Sequence, residues 1–342
     1  MKRPACIVFD VGGTTLRASV VTSQGRLVAP PLRMETPNIW NYPHEPLARV
    51  QTRLVDVLVA TTRHLQQQYR HLALRHVGIA MAGPVTHDGV VRHVSGLWGH
   101  RGHQFPLLAR LKRQLHLRYL IVNDMTAAAA YYGSLPPYRR ARWIAVITVS
   151  SGVGSKVVDT HTREVLLDPA GISGELGHVR VDRSPTALRC ECGVRGHVQG
   201  LCSGRAAERL ARRLAQEQPR RFRASRLWRL TRGRPQRMTT YHLAEAVRRQ
   251  DRFALDVLDR VTEPLARAIA LLVGTIGIER VILVGGFALG VGQPYLRALQ
   301  RHLVHIGCYG RSAAATRALV CLGQRNDAQG LLGVGRLVQQ GA

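Results

Sequence analysis

The chain opens with two apolar runs separated by a glycine-rich turn. A β-prone run at residues 6–9 leads to Asp10, Gly-Gly-Thr-Thr follows at 12–15, and a second apolar run occupies 18–21. This pattern predicts a β-hairpin with the two glycines at its tip. Glycines permit positive φ and let backbone N–H groups approach an anion, so the tip is either an ordinary hairpin turn or a phosphate-binding loop. In the second case, Asp10 is suited to hold a hydrated Mg²⁺.

Strand and helix patterns continue along the chain. We predict a strand near 26–30, a helix at 46–69, a strand at 77–82, a strand at 119–122 and an alanine-rich helix at 125–132. A second hairpin at 143–158 repeats the features of the first, with small residues at its turn, and a strand at 281–284 ends in a glycine pair. Residues 205–252 predict a helix, a basic loop and another helix that starts near Thr239. Together these elements predict an α/β fold with a first lobe at 1–122 and a second at 123–324.

Composition limits the classes of function. Arginine and lysine total 49 against 21 acids, which gives a formal charge of +28 in 342 residues. Such a charge is compatible with a nucleic-acid partner, but only 5% of residues are aromatic and no basic stripe is interleaved with them. We therefore attribute the charge to arginine on solvated helix faces and do not expect nucleic-acid binding.

The ends and cysteines of the chain point to the cytoplasm. Residues 1–4 lead straight into a strand without the apolar segment of a secretion signal, and no apolar run reaches the length of a membrane span. Six cysteines in so long a chain, two of them as Cys-x-Cys, favour a metal site over a disulfide framework. We expect a cytoplasmic protein that does not bind membranes.

Six segments in one order resemble the ROK family of sugar kinases and related repressors. They are D-x-G-G-T-x-x-R at 10–17, GIAMAGPVTHDGVV at 78–91, IVNDMTAAAAYYG at 121–133, ITVSSGVGSKV at 147–157, GELGHVRVD with CECGVRGHVQGLCSG within 174–204, and VILVGGFALG at 281–290. The resemblance implies a two-lobed actin-like (RNase H-like) ATPase fold, with a C-terminal helix at 325–342 completing the first lobe. It also implies an ATP- and Mg²⁺-dependent kinase for a hexose or hexose-like polyol, and a homodimer or homotetramer.

Candidate catalytic and nucleotide-binding residues follow from the same resemblance. Phosphoryl transfer to a hydroxyl needs a carboxylate that orients the hydroxyl and accepts its proton. Asp124, at a strand end, fits this role, although Asn123-Asp124 is also a reasonable helix N-cap; Asn123 would bond neighbouring hydroxyls of the acceptor. The resemblance assigns ATP and phosphate binding to Asp10, Gly12, Gly13, Thr14, Thr15, Ser150, Ser151, Gly152, Gly154, Gly285 and Gly286. Lys156 is expected at a solvated strand end, unless it reaches a phosphate.

Two cysteines and two histidines form the metal candidate. Cys190, Cys192, His197 and His178 offer two thiolates and two imidazoles, which suit tetrahedral Zn²⁺. In the family the histidine of GE-x-GH is the fourth ligand, and here His197 replaces the last cysteine of the usual C-x-C-G-x-x-G-C. Cys202 lies five residues on and competes as a ligand. The ion would be structural and would hold the loop 178–202.

The acceptor-binding positions depart from the family pattern. Glu175 and His178 match the sugar-binding pair, whereas Gln199 stands where the family has glutamate, and Gly96 stands where asparagine is common. Trp98, His100 and His103 are candidates for a different wall of the pocket. These departures motivate an alternative acceptor, a C7 cyclitol or an amino sugar.

Alternatives from another class are a sugar-responsive regulator and a pseudokinase. The first hairpin begins within ten residues of Met1, which leaves no room for the DNA-binding domain of the family's repressors. The second is disfavoured because Asp10, Asp124 and both hairpins are intact.

Overall fold

The computed structural model describes residues 2–99 and 104–341. Strands alternate with helices along the chain. The strands are β1 (Arg3–Val11), β2 (Thr15–Thr22), β3 (Leu32–Glu35), β4 (Leu72–Met81), β5 (Val90–Val91), β6 (Phe105–Pro106), β7 (Arg118–Asn123), β8 (Trp143–Val149), β9 (Val153–Asp159), β10 (Arg280–Val284) and β11 (Val320–Leu322). The helices are α1 (Leu47–Gln68), α2 (Ser95–Trp98), α3 (Leu107–Gln114), α4 (Asp124–Gly133), α5 (Val198–Cys202), α6 (Gly204–Glu217), α7 (Pro219–Arg223), α8 (Arg226–Leu230), α9 (Thr240–Arg248), α10 (Arg252–Ile276), α11 (Gly286–Val291), α12 (Gln293–Ile306), α13 (Ala313–Leu319) and α14 (Gln329–Gln339).

The chain divides into two compact units. The first comprises residues 1–139, 161–173 and 326–342, and the second comprises 140–160 and 174–325. The boundary expected between 122 and 123 falls inside the first unit, because α4 packs against α14 there. The C-terminal helix expected to complete the first lobe is α14. No helix in the described ranges is both long and apolar enough to cross a bilayer.

The first unit is built on a five-stranded sheet in the order β3-β2-β1-β4-β7. β1 and β2 are antiparallel, with Val11 opposite Leu16, whereas β1, β4 and β7 run parallel. Apolar residues of β1, β2, β4 and α1 form the core on one face. On the other face α14 lies close to the sheet, because an added Cβ at Gly78 would come within 2.9 Å of Val334. Because β1, β4 and β7 run parallel, their carboxyl ends lie at one edge of the sheet, near Asp10, Asn123 and Asp124.

The prediction of a third strand near 26–30 is wrong. In the structure β3 lies at Leu32–Glu35 and pairs with β2. The predicted segment instead follows a turn in which Gly25 has a φ of +73° and donates to the Thr22 carbonyl. Pro30 and Pro31 then lack the N–H groups that a ladder needs, so pairing starts after them.

The second unit contains a four-stranded sheet in the order β11-β10-β8-β9. β8 and β9 form the second predicted hairpin, with Val149 opposite Val153, and β10 runs parallel to β8. Helices α5, α6 and α9 to α12 cover one face through a continuous apolar core. The basic segment predicted as a loop contains the short helices α7 and α8, because Phe222 and Leu227 are buried and anchor them.

Candidate active site

The ends of three parallel strands bring the first group of candidate residues together. Val11 is in register with Met81, and Met81 with Asn123, so β1, β4 and β7 end at the same level. Asp10 on β1 and Asn123 on β7 are two strands apart, which is about 10 Å at ordinary strand spacing. The carboxyl edge of the sheet thus holds Asp10, Asn123 and Asp124, and the strand end expected before Asp124 is confirmed.

Asp10 is a half-buried carboxylate at this edge. Burial raises its pKa, the nearby Arg17 guanidinium opposes that shift, and Asp327 adds to it. Arg17 Nη1 lies 3.3 Å from Asp10 Oδ2. The backbone of α14 passes directly over the carboxylate, since a Cβ at Gly330 would come within 2.8 Å of Asp10 Cγ. A divalent cation would offset the cost of burying this charge, so Asp10 fits the role of a Mg²⁺-holding group.

The β1–β2 turn holds the first predicted phosphate loop. Neither Gly12 nor Gly13 has a positive φ, so that part of the expectation is wrong, while the approach of their N–H groups to an anion stays a prediction. Space is tight at Gly12, where an added Cβ would lie 3.1 Å from the Thr15 carbonyl oxygen, whereas at Gly13 it would make an ordinary contact, 3.4 Å from the Gly96 carbonyl oxygen. Gly96 therefore faces the phosphate loop through its backbone.

Asn38 is a supporting residue that sequence reasoning missed. Its buried amide donates to the Gly13 carbonyl at 3.3 Å and to the Thr36 carbonyl at 2.9 Å. Its oxygen accepts from two further backbone N–H groups, of Trp40 and Asn41, at 2.9 Å each. Asn38 thus fixes the loop from behind. The sequence around Asn38 gives no sign of this contact, because Gly13 lies 25 residues earlier in the chain.

Asn123 and Asp124 form the junction of β7 and α4. Asn123 is the N-cap: its oxygen accepts from Met125 N–H at 2.9 Å, and its amide donates to the Gly83 carbonyl at 2.8 Å. One Asp124 oxygen accepts from Met125 N–H at 2.8 Å. The cap interpretation is therefore correct for Asn123, and it positions Asp124 at the first turn of the helix. The catalytic and acceptor-binding roles of the pair stay predictions.

The second unit carries the other predicted phosphate loop at the β8–β9 turn. Ser150 N–H donates to the Gly152 carbonyl at 2.9 Å, and Gly204, at the start of α6, donates to the Ser150 carbonyl at 2.7 Å. Gly285 has a φ of +94°, and a Cβ there would lie 2.5 Å from Thr148 Oγ1. Gly286 lies beside Ser150 as well. The two glycine-rich segments predicted for ATP, at 150–154 and 285–286, are thus neighbours.

Glu175 and His178 flank one 3₁₀ turn against β9. Ser155 donates its N–H and its hydroxyl to the Gly174 carbonyl, at 3.2 and 2.8 Å. Glu175 Oε2 lies 4.0 Å from His178 Nε2. Burial raises the pKa of Glu175, whereas the charges of Lys156 and His178 oppose the shift. The turn therefore presents a carboxylate and an imidazole side by side.

The expectation that Lys156 sits at a solvated strand end is wrong. Its side chain is 2% exposed. The Gly174 backbone covers it, because a Cβ at Gly174 would lie 3.1 Å from Lys156 Cδ. A buried ammonium needs a compensating charge. The Glu175 carboxylate is close enough to supply one, since the charge of Lys156 lowers the pKa of Glu175. The pattern of β9 did not reveal this, since a buried cation is an exception to strand patterning.

Gln199 connects the acceptor candidates to the phosphate loop of this unit. Its Oε1 accepts from Val153 N–H at 3.5 Å, and a Cβ at Gly152 would lie 3.1 Å from the same oxygen. The backbone of Gly177 also packs on β9, where a Cβ would collide with the Val153 carbonyl. Because Oε1 is directed at the hairpin, the amide donor of Gln199 is the group left for an acceptor.

The predicted metal ligands are brought together in the second unit. His178, Cys190, Cys192 and His197 have ligand atoms that all lie within 4.8 Å of one another. Cys192 Sγ is 3.2 Å from His197 Nδ1. Two thiols and two imidazoles at this separation fit a tetrahedral zinc ion. Cys202 lies outside the group: it is fully buried in the helical core, and burial raises its pKa. The expectation that it competes as a ligand is therefore wrong.

The predicted alternative wall of the acceptor pocket is only partly described. Trp98 is fully buried and packs edge to face on Phe105, with ring centroids 5.4 Å apart. It belongs to the core of the first unit, so its expected place in the pocket wall is wrong. His100 and His103 lie outside the described residues.

Comparisons with known proteins identify the family and the fold. The sequence profile of the ROK family matches residues 6–341. A C(7)-cyclitol 7-kinase of Streptomyces hygroscopicus subsp. limoneus is 38% identical over 97% of this chain and 93% of its own length. A 2-epi-5-epi-valiolone 7-kinase of an Actinoplanes strain is 28% identical, over 90% of this chain and 86% of its own length. The crystal structure of a ROK family glucokinase from Streptomyces griseus, in complex with glucose and AMPPNP, has a TM-score of 0.74 and 25% identity, and covers 98% of this chain and 100% of that one. The expected family and fold are confirmed.

Proposed function

The chain belongs to the ROK family, and within that family we propose that it transfers a phosphoryl group from ATP to a hydroxyl of a C7 cyclitol. The chain is an ATP-dependent carbohydrate kinase, because it matches such kinases over nearly its whole length. The observation that carries the finer proposal is the 38% identity to a C(7)-cyclitol 7-kinase, combined with an amide at position 199.

Asp124 is the proposed general base. A carboxylate at the first turn of α4, held by the cap at Asn123, is suited to accept the proton of the attacking hydroxyl. Asp10 would hold Mg²⁺, which neutralises charge on the transferred phosphoryl group. The turns at 12–15 and 150–154 supply backbone and hydroxyl donors for phosphate oxygens, and Gly285-Gly286 forms the adjoining loop.

The acceptor is proposed to meet Asn123, Glu175, His178 and Gln199. A glutamate at position 199 would present an anionic acceptor of hydrogen bonds. Gln199 presents N–H donors instead, because its oxygen is directed at Val153. Such a group suits an acceptor oxygen or carbonyl that a carboxylate would repel. A keto oxygen of a C7 cyclitol precursor meets this requirement, because it only accepts hydrogen bonds, whereas a hydroxyl could also donate one to a carboxylate.

Zinc is proposed as a structural ion. His178, Cys190, Cys192 and His197 would supply all four ligands of a tetrahedral zinc ion, which would leave no coordination position for a substrate. Zinc would fix the segment that carries Glu175 and Gln199. A cytoplasmic location and a homodimeric or homotetrameric state belong to the same proposal, on the family resemblance.

An ADP-release assay tests the acceptor. Purified enzyme with MgATP is offered 2-epi-5-epi-valiolone, glucose and N-acetylmannosamine, with Asp124→Asn as the inactive control. We expect the cyclitol to have the highest kcat/KM. If glucose is phosphorylated as efficiently as the cyclitol, the chain is an ordinary hexokinase, as the Glu175–His178 pair also permits, and the finer proposal is rejected.

A further inference from the structure

The second unit contains a cavity that none of the roles above uses. Its volume is about 620 Å³. One wall is the loop at 180–188, which joins the predicted metal ligands His178 and Cys190. The other walls are α6 and α10, which contribute Leu210 and Pro264. The size is that of a site for a small organic molecule.

The lining of this cavity is strongly cationic. Five arginines line it against two acids, Asp182 and Glu263. Both acids already have partners. Asp182 Oδ1 accepts a hydrogen bond from Ser184 N–H at 2.8 Å, and Glu263 forms an ion pair with Arg267 on the same helix. The arginines are Arg180, Arg183, Arg213, Arg260 and Arg267. The wall therefore has a surplus of guanidinium groups.

These guanidinium groups can turn to a ligand at little cost. Among the described residues Arg183 forms no ion pair, and Arg180 donates only to the Asp182 carbonyl, at 3.4 Å. Arg213 and Arg260 pair with acids one turn away on exposed helix faces, at 3.5 and 3.0 Å. Exposed pairs of this kind contribute little, so a bound dianion would compete well for the arginines.

The rest of the lining is apolar and hydroxylic. Leu188, Leu201 and Leu210 line the cavity together with Thr186. An inorganic anion alone would leave this surface unused, whereas an ester with an organic body would cover it. Several guanidinium forks match the three oxygens and the double charge of a phosphate monoester better than a single carboxylate.

We propose that this cavity is a binding site for a small phosphate monoester, separate from the phosphoryl-transfer residues. The loop at 180–188 is bridged to the metal segment through Arg180 and His197, and Leu201 lies on α5, the helix that carries Gln199. A ligand that joins this loop to α6 and α10 stabilises the segment that presents the acceptor-binding residues. The site is thus suited to an effector that changes acceptor affinity.

Direct binding measurements test the site without using activity. Isothermal titration of the intact enzyme is done with glucose 6-phosphate, with inorganic phosphate and with glucose. The paired variant Arg180→Ala/Arg183→Ala removes the loop cations, and Arg260→Gln/Arg267→Gln removes those of the helix. The matched control is Arg223→Ala/Arg229→Ala, on α7 and α8 outside the cavity.

We expect the ester to bind the wild type, and each cavity variant to bind it about tenfold more weakly or worse, since a charge-assisted hydrogen bond is lost. The control should bind as the wild type does, and all variants should retain the wild-type melting temperature without ligand. Equal ester affinity in the wild type and both cavity variants overturns the proposal, because binding is then elsewhere. No binding to the wild type at about 10 mM ester also overturns it. Inorganic phosphate binding as tightly as the ester refutes the role of the leucine surface. Failure here leaves the kinase proposal standing, since no step of phosphoryl transfer is measured.

Discussion

Gly330→Ala is the sharpest test of how Asp10 is positioned. The added methyl group would lie 2.8 Å from Asp10 Cγ and 3.0 and 3.1 Å from the two carboxylate oxygens. Contacts this short do not persist, so either α14 or the carboxylate must move. The carboxylate is linked to Arg17 at 3.3 Å, and the move would break that contact. We therefore expect a defect in MgATP use from a single methyl group.

The structure also bounds the change in stability. Alanine is favoured over glycine inside a helix by about 1 kcal/mol. Overpacking a filled site costs about 1–3 kcal/mol. The free energy of unfolding should therefore fall by about 0–2 kcal/mol, which leaves the protein folded. The protein should therefore stay folded while its use of MgATP is impaired, because the displaced carboxylate is the proposed Mg²⁺ ligand.

Steady-state kinetics at varied Mg²⁺ and ATP measure the effect. We expect the KM for MgATP to rise at least several-fold, with a smaller change in acceptor KM. Gly274→Ala is the matched control: Gly274 also lies in a helix, and a Cβ added there would have no neighbouring atom within 4 Å. That variant should keep wild-type kinetics and gain up to about 1 kcal/mol. If Gly330→Ala has wild-type KM for MgATP over the whole Mg²⁺ range, Asp10 does not hold the ion.

Three further predictions concern other parts of the site. Asp124→Asn should lower kcat by about 10²-fold or more with nucleotide KM unchanged, because the amide keeps the bond from Met125 N–H but cannot take a proton; a rate above a tenth of wild type contradicts the base role. Cys190→Ser should lower the zinc content, the melting temperature and acceptor affinity together, measured by elemental analysis, calorimetry and KM; active wild-type protein without zinc contradicts the metal site. Gln199→Glu should shift kcat/KM from the cyclitol towards glucose in the ADP-release assay, and unchanged ratios would show that this position does not select the acceptor.

Features encoded by neighbouring residues were predictable from the sequence. Both hairpins follow from apolar runs around small residues, and the α4 start follows from Asn123 before an alanine-rich segment. The metal group was also predictable, since three of its ligands lie within eight residues. In each case the signal and the structure occupy one stretch of chain.

Features that depend on contacts between distant parts of the chain were not predictable from the sequence. Asn38 supports Gly13 from 25 residues away, and Gly330 covers Asp10 from the far end of the chain. Lys156 reads as an exposed strand cation until the Gly174 backbone is seen to cover it. A sequence pattern records the preference of one segment for water or for a core. It does not record which other segment will supply the covering atoms or the compensating charge.

The proposed acceptor and nucleotide sites of the second unit share backbone groups, from which we predict that their occupancy is coupled. Gln199 Oε1 accepts from the N–H of Val153, which lies within the predicted phosphate-binding segment at 150–154, and the Ser155 hydroxyl donates to the carbonyl of Gly174, the residue before Glu175. A phosphate that orders the turn would therefore also order Gln199 and Glu175, the proposed acceptor residues, with less entropy left to lose on the second binding event. Linkage requires the effect to be reciprocal. Acceptor should accordingly bind more tightly in the presence of a non-hydrolysable ATP analogue, and the analogue more tightly in the presence of acceptor, by the same factor.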